Sequence, residues 1–552
     1  MKKLTKIIFA APIVAPTLSI CACGENNDAV YNNLKDSMIN YFLDWCKYPH
    51  PSYYWGPINK HLTEWANSKG WTVSRDDYYK QEAQANWADE YKDYYGNIWF
   101  DVPATAGYES YPTTILQAHM DMVIDGMTIE EAITTPIKPY INNENNTMTS
   151  EGKQTSLGAD DGAGACMALA LITNPKVEHG PIRVVFTADE EVGLFGAAAL
   201  GKKDDGTQID VLGDAKYLIN IDGDVFGNIV NSSAGIRGFW YKLIEGDQAK
   251  VSTIDSSCTK TVTINCSGVR GGHSAGNIIK HASALKCLLD VIDKSGLAVG
   301  DNKFQWVSAT TNVVVTNAIQ KDATIQFATS DANAETKINI AINATLDKWK
   351  GLCPDEKDIE ITATYGTTST STKALTDEFS KTFFSFMNWY DFGVLDWLVV
   401  DKSPKSSQNI GPLVIDCTQE EITNVLLFGT LTRSCENEYL EKYKADAINW
   451  TDTMLGTGHY EVASDYPPFQ PKEDNPLRDA MIKGYDFANV KANVFDEHGG
   501  LEISQFAIVK PNLFMTSIGL QLTDMHSKNE TLYLYSILPT LKALTYTLKI
   551  LK

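Results

Sequence analysis

Short apolar runs that each end in a metal-ligating side chain restrict this chain more than any other feature. Thr114-Ile115-Leu116-Gln117 leads into Ala118-His119-Met120-Asp121, and Arg183-Val184-Val185-Phe186-Thr187-Ala188 leads into Asp189-Glu190-Glu191. Ile219-Asn220-Ile221 leads into Asp222, while Gly158-Ala159-Asp160-Asp161-Gly162 and Met525-His526-Ser527 stand outside such runs. Helix-like and strand-like pieces alternate from about residue 33 to 225, as they do in an α/β domain. In an open α/β sheet, ligands bind beyond the carboxyl ends of the strands, so His119, Glu191 and Asp222 are expected to converge there.

His, Asp and Glu are nitrogen and oxygen ligands for a divalent metal. Asp160 precedes Gly162-Ala163-Gly164-Ala165, which reads as a helix start, and one carboxylate there can bridge two cations about 3.5–4 Å apart. One cation would take His119 and Asp222, the other Glu191 and His526, with Asp160 shared. A water held between them is acidified toward hydroxide near neutral pH. Glu190, beside a ligand glutamate, is the candidate general base, returning its proton to a leaving amine. Asp121, two residues past His119, is placed to fix that imidazole's tautomer. Each residue alone has a plainer reading: a packed strand histidine, a solvated Glu190-Glu191 turn, a helix cap at Asp160-Asp161, a turn at Asp222. The ordered set of five ligands plus a base outweighs them.

A chain of 552 residues is too long for one core. The texture changes near residue 232: Thr261 to Cys266 alternates like a half-buried strand, Gly271 to Asn277 reads as a tight loop, and Ile278 to Asp293 has helical periodicity. Strands are expected at 323–328, 358–365 and 425–432, with one more near Val313, and helices at 335–350 and 436–453. The expected fold class is α/β: a mixed-sheet catalytic domain (residues 30–231 and 461–552) interrupted by an inserted α+β lid (residues 232–460). A lid of that length admits an internal pseudo-dimer or a homodimer. Residues 75–95, rich in Asp, Glu, Tyr and Gln, read as a surface insertion.

The formal charge of −22 excludes a nucleic-acid partner. At the N-terminus, Lys2, Lys3 and Lys6 precede an apolar run to Ile20 and then Cys21-Ala22-Cys23-Gly24. The run is too short to span a bilayer comfortably. Residues 1–23 resemble a bacterial lipoprotein signal with Cys23 lipidated; Cys21, a plain cleaved signal and an uncleaved anchor are the alternatives. The expected location is therefore exported and membrane-anchored, with contact to the membrane only through that lipid. The other eight cysteines show no framework spacing and read as buried thiols.

These motifs resemble the M20 metallopeptidases, and within them the aminoacyl-histidine dipeptidase (peptidase D, Xaa-His or β-Ala-His) branch. The resemblance runs from about residue 33 to 552. It is carried by Leu116 to Val123, Pro136 to Tyr140, Thr155 to Gly162, Asp189 to Gly193, Gly271 to Ser274, His498 to Glu502, Ser517 to Gly519 and His526-Ser527. It implies a two-domain zinc-peptidase fold and a di-zinc dipeptidase, although carboxylate-rich sites also accept Mn²⁺ or Co²⁺. It further implies that His273 polarises the scissile carbonyl, that Arg433 clamps the substrate's C-terminal carboxylate, that Asn317 lies near the substrate, and that Glu502 lies near its free amine. Asp161 stands where this branch usually has Asn, and Tyr466-Pro467-Pro468-Phe469 replaces a Pro-Gly-Trp-like segment, which bears on substrate preference. The alternatives are another hydrolase of the same family (tripeptidase, carboxypeptidase or N-acyl-amino-acid amidohydrolase) and a non-catalytic peptide-binding lipoprotein.

Overall fold

Two large sheets organise the computed structural model, which describes residues 24–398 and 403–552. The first has eight strands in the order Ser74–Arg75, Ile98–Val102, Ile182–Thr187, Thr114–His119, Tyr217–Gly223, Phe514–Gly519, Asn228–Ser233, Asn493–Glu497. Thr114–His119 is parallel to both of its neighbours, and Phe514–Gly519 is parallel to Tyr217–Gly223, whereas the first three strands pair antiparallel. Helices cover both faces, which is why the central strands read as unbroken apolar runs. Leu116, Ala118, Val184 and Phe186 enter one core, beneath the helices Gly24–Trp45, Ala159–Thr173 and Ile537–Ile550. Ile115, Val185 and Leu218 point the other way, toward Ile503 and Phe506 of the helix Ile503–Val509. His119, Glu190-Glu191 and Asp222 accordingly emerge at one edge of this sheet.

Two strands that end at that edge touch through backbone. A Cβ on Gly519 would lie 1.6 Å from the carbonyl oxygen of Gly223, next to Asp222. Gly519→Ala must part these strands, so a loss of about 3 kcal/mol in stability is expected, at the upper end of ordinary overpacking. A thermal melt checks this against Gly351→Ala, whose added methyl meets nothing within 4 Å.

The second sheet runs Glu360–Thr367, Lys260–Ser267, Ala323–Thr329, Phe304–Thr311, Pro404–Asp416, Leu426–Ser434, Gly235–Lys242, Tyr460–Tyr466, with Gly393–Trp397 paired to Pro404–Asp416. It is a duplicated βαββαβ unit. One copy uses the strands at 260, 304, 323 and 360 with the helices Ala284–Ser295 and Ala334–Leu352. The other uses the strands at 235, 404, 426 and 460 with Asp377–Asn388 and Asn437–Met454, and the first copy is inserted in its opening connection. The two copies have mirrored strand orders and meet at their second strands, where Ser308 and Ala309 pair antiparallel with Asp416 and Ile415. One core, including Leu288, Ile338, Phe383 and Ala447, underlies all four helices.

Several local expectations change. The helix after the Gly-Gly-His-Ser loop begins at Ala284 rather than Ile278, because Ser283 caps it by accepting from the Lys286 amide at 3.1 Å. The further strand expected near Val313 is Phe304–Thr311, and Val313 itself lies in the turn that follows it. Residues 75–95 are more than surface: Ala83 and Trp87 are buried, with Trp87 edge-on to Trp55 at 5.2 Å between ring centroids. Glu82, Asp89, Glu90 and Asp93 face water, Asp76 is buried and accepts from the Asn97 side chain and the Gly201 amide, and Trp87 packs inward. The eight described cysteines are free. Residues 1–23, including Cys23, lie outside the described residues, and no described helix is long and apolar enough to cross a membrane.

Candidate metal centre

Asp160 faces a histidine with each of its oxygens. Its Oδ1 lies 3.3 Å from His119 Nε2, and its Oδ2 lies 3.2 Å from His526 Nε2. His119 Nε2 is also 3.6 Å from Asp222 Oδ1, and His526 Nε2 is 2.8 Å from Glu191 Oε2. Ligand atoms held about 2.0–2.2 Å from one tetrahedral ion stand about 3.4 Å from each other, so the spacing fits two ion positions that share Asp160. His119, Asp160 and Glu191 present ligand atoms within 4.8 Å of one another, and so do His119, Asp161 and Asp222. The structure thus brings together all five side chains singled out as ligands, from three strand ends, a helix start and a C-terminal turn.

The charge balance points the same way. Asp121, Asp160, Asp161, Glu190, Glu191 and Asp222 crowd around two imidazoles, and buried charge of one sign is stable only when paired or bound to metal. Burial, then the charge of Asp160, pushes the Glu191 carboxyl up to about 7, and burial pushes Asp222 up to about 6. Burial works against charge on His526 too, yet Asp160 and Glu191 raise it to about 11. Glu191 Oε1 is buried with no hydrogen-bond partner. Divalent cations would resolve all of these at once.

The surrounding contacts set the ligands' directions. His119 Nδ1 lies 2.9 Å from the Asp121 carbonyl oxygen and 3.5 Å from its Oδ1, which directs Nε2 toward Asp160 and Asp222. Asp121 in turn accepts from Ser52 Oγ at 2.7 Å and from the Glu190 amide at 3.0 Å, joining the two acidic couples. Asp189, at φ 51°, accepts from the Tyr53 amide (2.7 Å) and the Tyr78 hydroxyl (2.8 Å), which holds the turn presenting Glu190 and Glu191. Burial, with Asp222 and Glu191 adding to it, pushes the Glu190 carboxyl well above its ordinary range.

The second sheet supplies a different set. His273 pairs with Ala318 beside Asn317, whose carbonyl accepts from the Ser274 amide at 2.8 Å. The protein around His273, then the charges of Arg433 and His526, lower its pKa to about 3, so the ring is neutral. Arg433 is 3 % exposed; its Nε and Nη2 each lie 3.4 Å from Ser274 Oγ, and no carboxylate is within ion-pairing distance among the described residues. His273 and Arg433 come from opposite copies of the duplicated unit.

Glu502 is placed differently from its expected position beside a substrate amine. It is fully buried, with Oε2 accepting from Gln117 Nε2 at 2.5 Å and Thr187 Oγ1 at 2.7 Å. Those partners, buried on two neighbouring strands, engage Oε2 alone, while Oε1 is buried with no hydrogen-bond partner. Sequence reasoning marked Asp161 and Tyr466 only as departures from the family pattern and gave neither a role; Asp161 Oδ2 accepts from the His119 amide at 3.3 Å, and Tyr466 is buried and interacts electrostatically with Arg433. Sequence reasoning missed Glu530, for which the local sequence carries no signal.

A two-sheet α/β protein with acidic and imidazole ligands gathered for a metal pair at strand ends is a metallohydrolase scaffold. The profile of peptidase family M20/M25/M40 matches residues 115–550, and the chain belongs to that family. It is 28 % identical over 506 residues to the cytosol non-specific dipeptidase of Escherichia coli (strain K12), spanning 90 % of this chain and 93 % of that one. A crystal structure of aminoacylhistidine dipeptidase from Vibrio alginolyticus has the same fold: TM-score 0.70 and 22 % identity, with 94 % of this chain and 96 % of that chain covered. Peptidase T of Escherichia coli (strain K12) is 41 % identical over 85 residues, 15 % of this chain and 18 % of that one. The comparison also corrects one expectation. The relative aligned over nearly its whole length is by name a cytosol enzyme, which overturns the exported, membrane-anchored location inferred from residues 1–23.

Proposed function

We propose that this chain is a two-metal dipeptidase, a reading carried above all by the Asp160 carboxylate set between His119 and His526. His119 and Asp222 would hold one cation and Glu191 and His526 the other, with Asp160 available to both. Zn²⁺ is the favoured ion for this mixture of imidazole and carboxylate, with Mn²⁺ or Co²⁺ as substitutes. When bound, the pair supplies a water acidified enough to attack an amide near neutral pH. Glu190 would serve as the general base that accepts a proton from the attacking water and returns it to the departing amine. Asp121 holds His119 in register. Neutral His273 donates to the oxygen of the scissile carbonyl as negative charge develops there, and Asn317 flanks the substrate beside it.

Arg433, buried without a carboxylate partner, receives the substrate's C-terminal carboxylate. A clamp for the terminal carboxylate favours short peptides with a free C-terminus, dipeptides and Xaa-His among them. In this reading residues 30–231 and 467–552 form the catalytic domain and residues 232–466 the lid; the boundary expected at residue 460 moves because the strand Tyr460–Tyr466 pairs with Gly235–Lys242 in the second sheet. His273 and Arg433 lie on opposite copies of the lid within one chain, so the site needs no second subunit.

The test is a dipeptide panel assayed with metal-depleted protein before and after Zn²⁺ is restored. Activity is expected to vanish on chelation and return with the metal; full turnover by metal-free protein would refute the mechanism. Cleavage confined to longer peptides or N-acyl amino acids would move the chain to another activity of its family.

A further inference from the structure

The turn carrying His526 ends at Glu530, and this residue's carboxylate reaches across to the loop carrying Asp160. Its Oε2 accepts from the backbone amides of Leu157 (2.7 Å) and Gly158 (2.9 Å), and its Oε1 from those of Ala159 (2.8 Å) and Asp160 (3.1 Å). Glu530 is 2 % exposed, and no cationic side chain pairs with it among the described residues, so four consecutive amides carry its charge. The left-handed backbone at Gly158, φ 70°, turns those amides toward a common point.

The two loops contribute unequal ligands. Asp160 follows a buried segment, but His526 has a side chain 51 % exposed and sits at φ 59° in a turn. Within that turn Ser527 Oγ donates to the Asp524 carbonyl, and the Glu530 amide donates to the Ser527 carbonyl at 3.0 Å. The Lys528 amide also donates to Asp125 Oδ2, at 2.9 Å. Of these contacts, the Glu530 carboxylate alone ties the turn to the backbone of Asp160 itself.

We propose that Glu530 is a positioning residue for the metal pair: it locks the His526 turn to the Asp160 loop and so sets the spacing of the Asp160, Glu191 and His526 ligands. The inference rests on the two-metal reading above. A glutamine here has one acceptor oxygen for two amides and turns an N–H₂ toward the other two, so either the Leu157 and Gly158 pair or the Ala159 and Asp160 pair is released.

The test compares metal-free wild-type protein with Glu530→Gln in Co²⁺ titrations followed by visible absorption, together with hydrogen exchange at the amides of residues 157–160. Wild-type protein is expected to take up two Co²⁺. The variant should bind the second about 10–100-fold more weakly, the usual cost of losing a partner behind the ligands. It should also show an altered absorption band, faster exchange at those amides, and a fall in kcat with KM held. Two equivalents bound with wild-type affinity and spectrum would overturn the proposal alone. A wild-type protein that takes up no Co²⁺ would overturn the two-metal reading and this inference with it. If Glu530→Gln does not fold, Glu530→Asp carries the same test, because it keeps the charge but retracts both oxygens; unchanged uptake and spectrum there are equally fatal.

Discussion

Glu190→Gln is expected to lower kcat by about 10²–10⁴-fold, the contribution of a positioned general base, while leaving bound metal unchanged. The substitution keeps size and polarity and removes only the ability to take a proton. Glu190 donates its backbone amide to Asp121 at 3.0 Å, and that contact survives the change, so the ligand frame should stay in place. Glu191→Gln is the informative contrast. Glu191 Oε2 lies 2.8 Å from His526 Nε2, and this variant should lose metal as well as rate. Kinetics paired with metal analysis separate the two roles. Equal metal loss in both variants would show that Glu190 is a ligand instead of the base.

The second large effect is expected at Arg433. Arg433→Met should reduce kcat/KM for dipeptides by about 10²–10³-fold, since breaking one partner of a buried charge pair costs roughly 2–5 kcal/mol. Most of the loss should enter through KM, because the guanidinium touches a part of the substrate that does not react. Dipeptide amides, which lack the terminal carboxylate, provide the control. Wild-type protein should handle them poorly, and the substitution should change that little. A variant that loses the same factor on dipeptides and on their amides would exclude a carboxylate clamp. Arg433→Lys is not a conservative rescue, because an ammonium cannot present two parallel donors.

The residues proposed as metal ligands stand out in the chain because each follows a recognisable local pattern. An apolar run ending in His119, Glu191 or Asp222 needs only the rule that parallel strands are buried on both faces and bind at their carboxyl ends. Asp160, before a small-residue helix, is equally local. Glu530 has no such pattern, since nothing in Ser527-Lys528-Asn529-Glu530 tells a solvated glutamate from one holding four amides 370 or more positions away in the chain. Glu502 shows the opposite failure: its motif was legible, but its direction depended on Gln117 and Thr187 from two different strands.

Sequence alone determined the α/β class and the resemblance to the M20 peptidases, because periodicity and residue chemistry are local properties of a chain. Only the tertiary structure decided that the second sheet is a unit paired with its own copy, that His273 and Arg433 come from opposite copies of it, and that the buried Glu530 carboxylate joins the loops of His526 and Asp160. Those facts depend on strand register and on contacts between residues hundreds of positions apart, which packing specifies and local pattern does not.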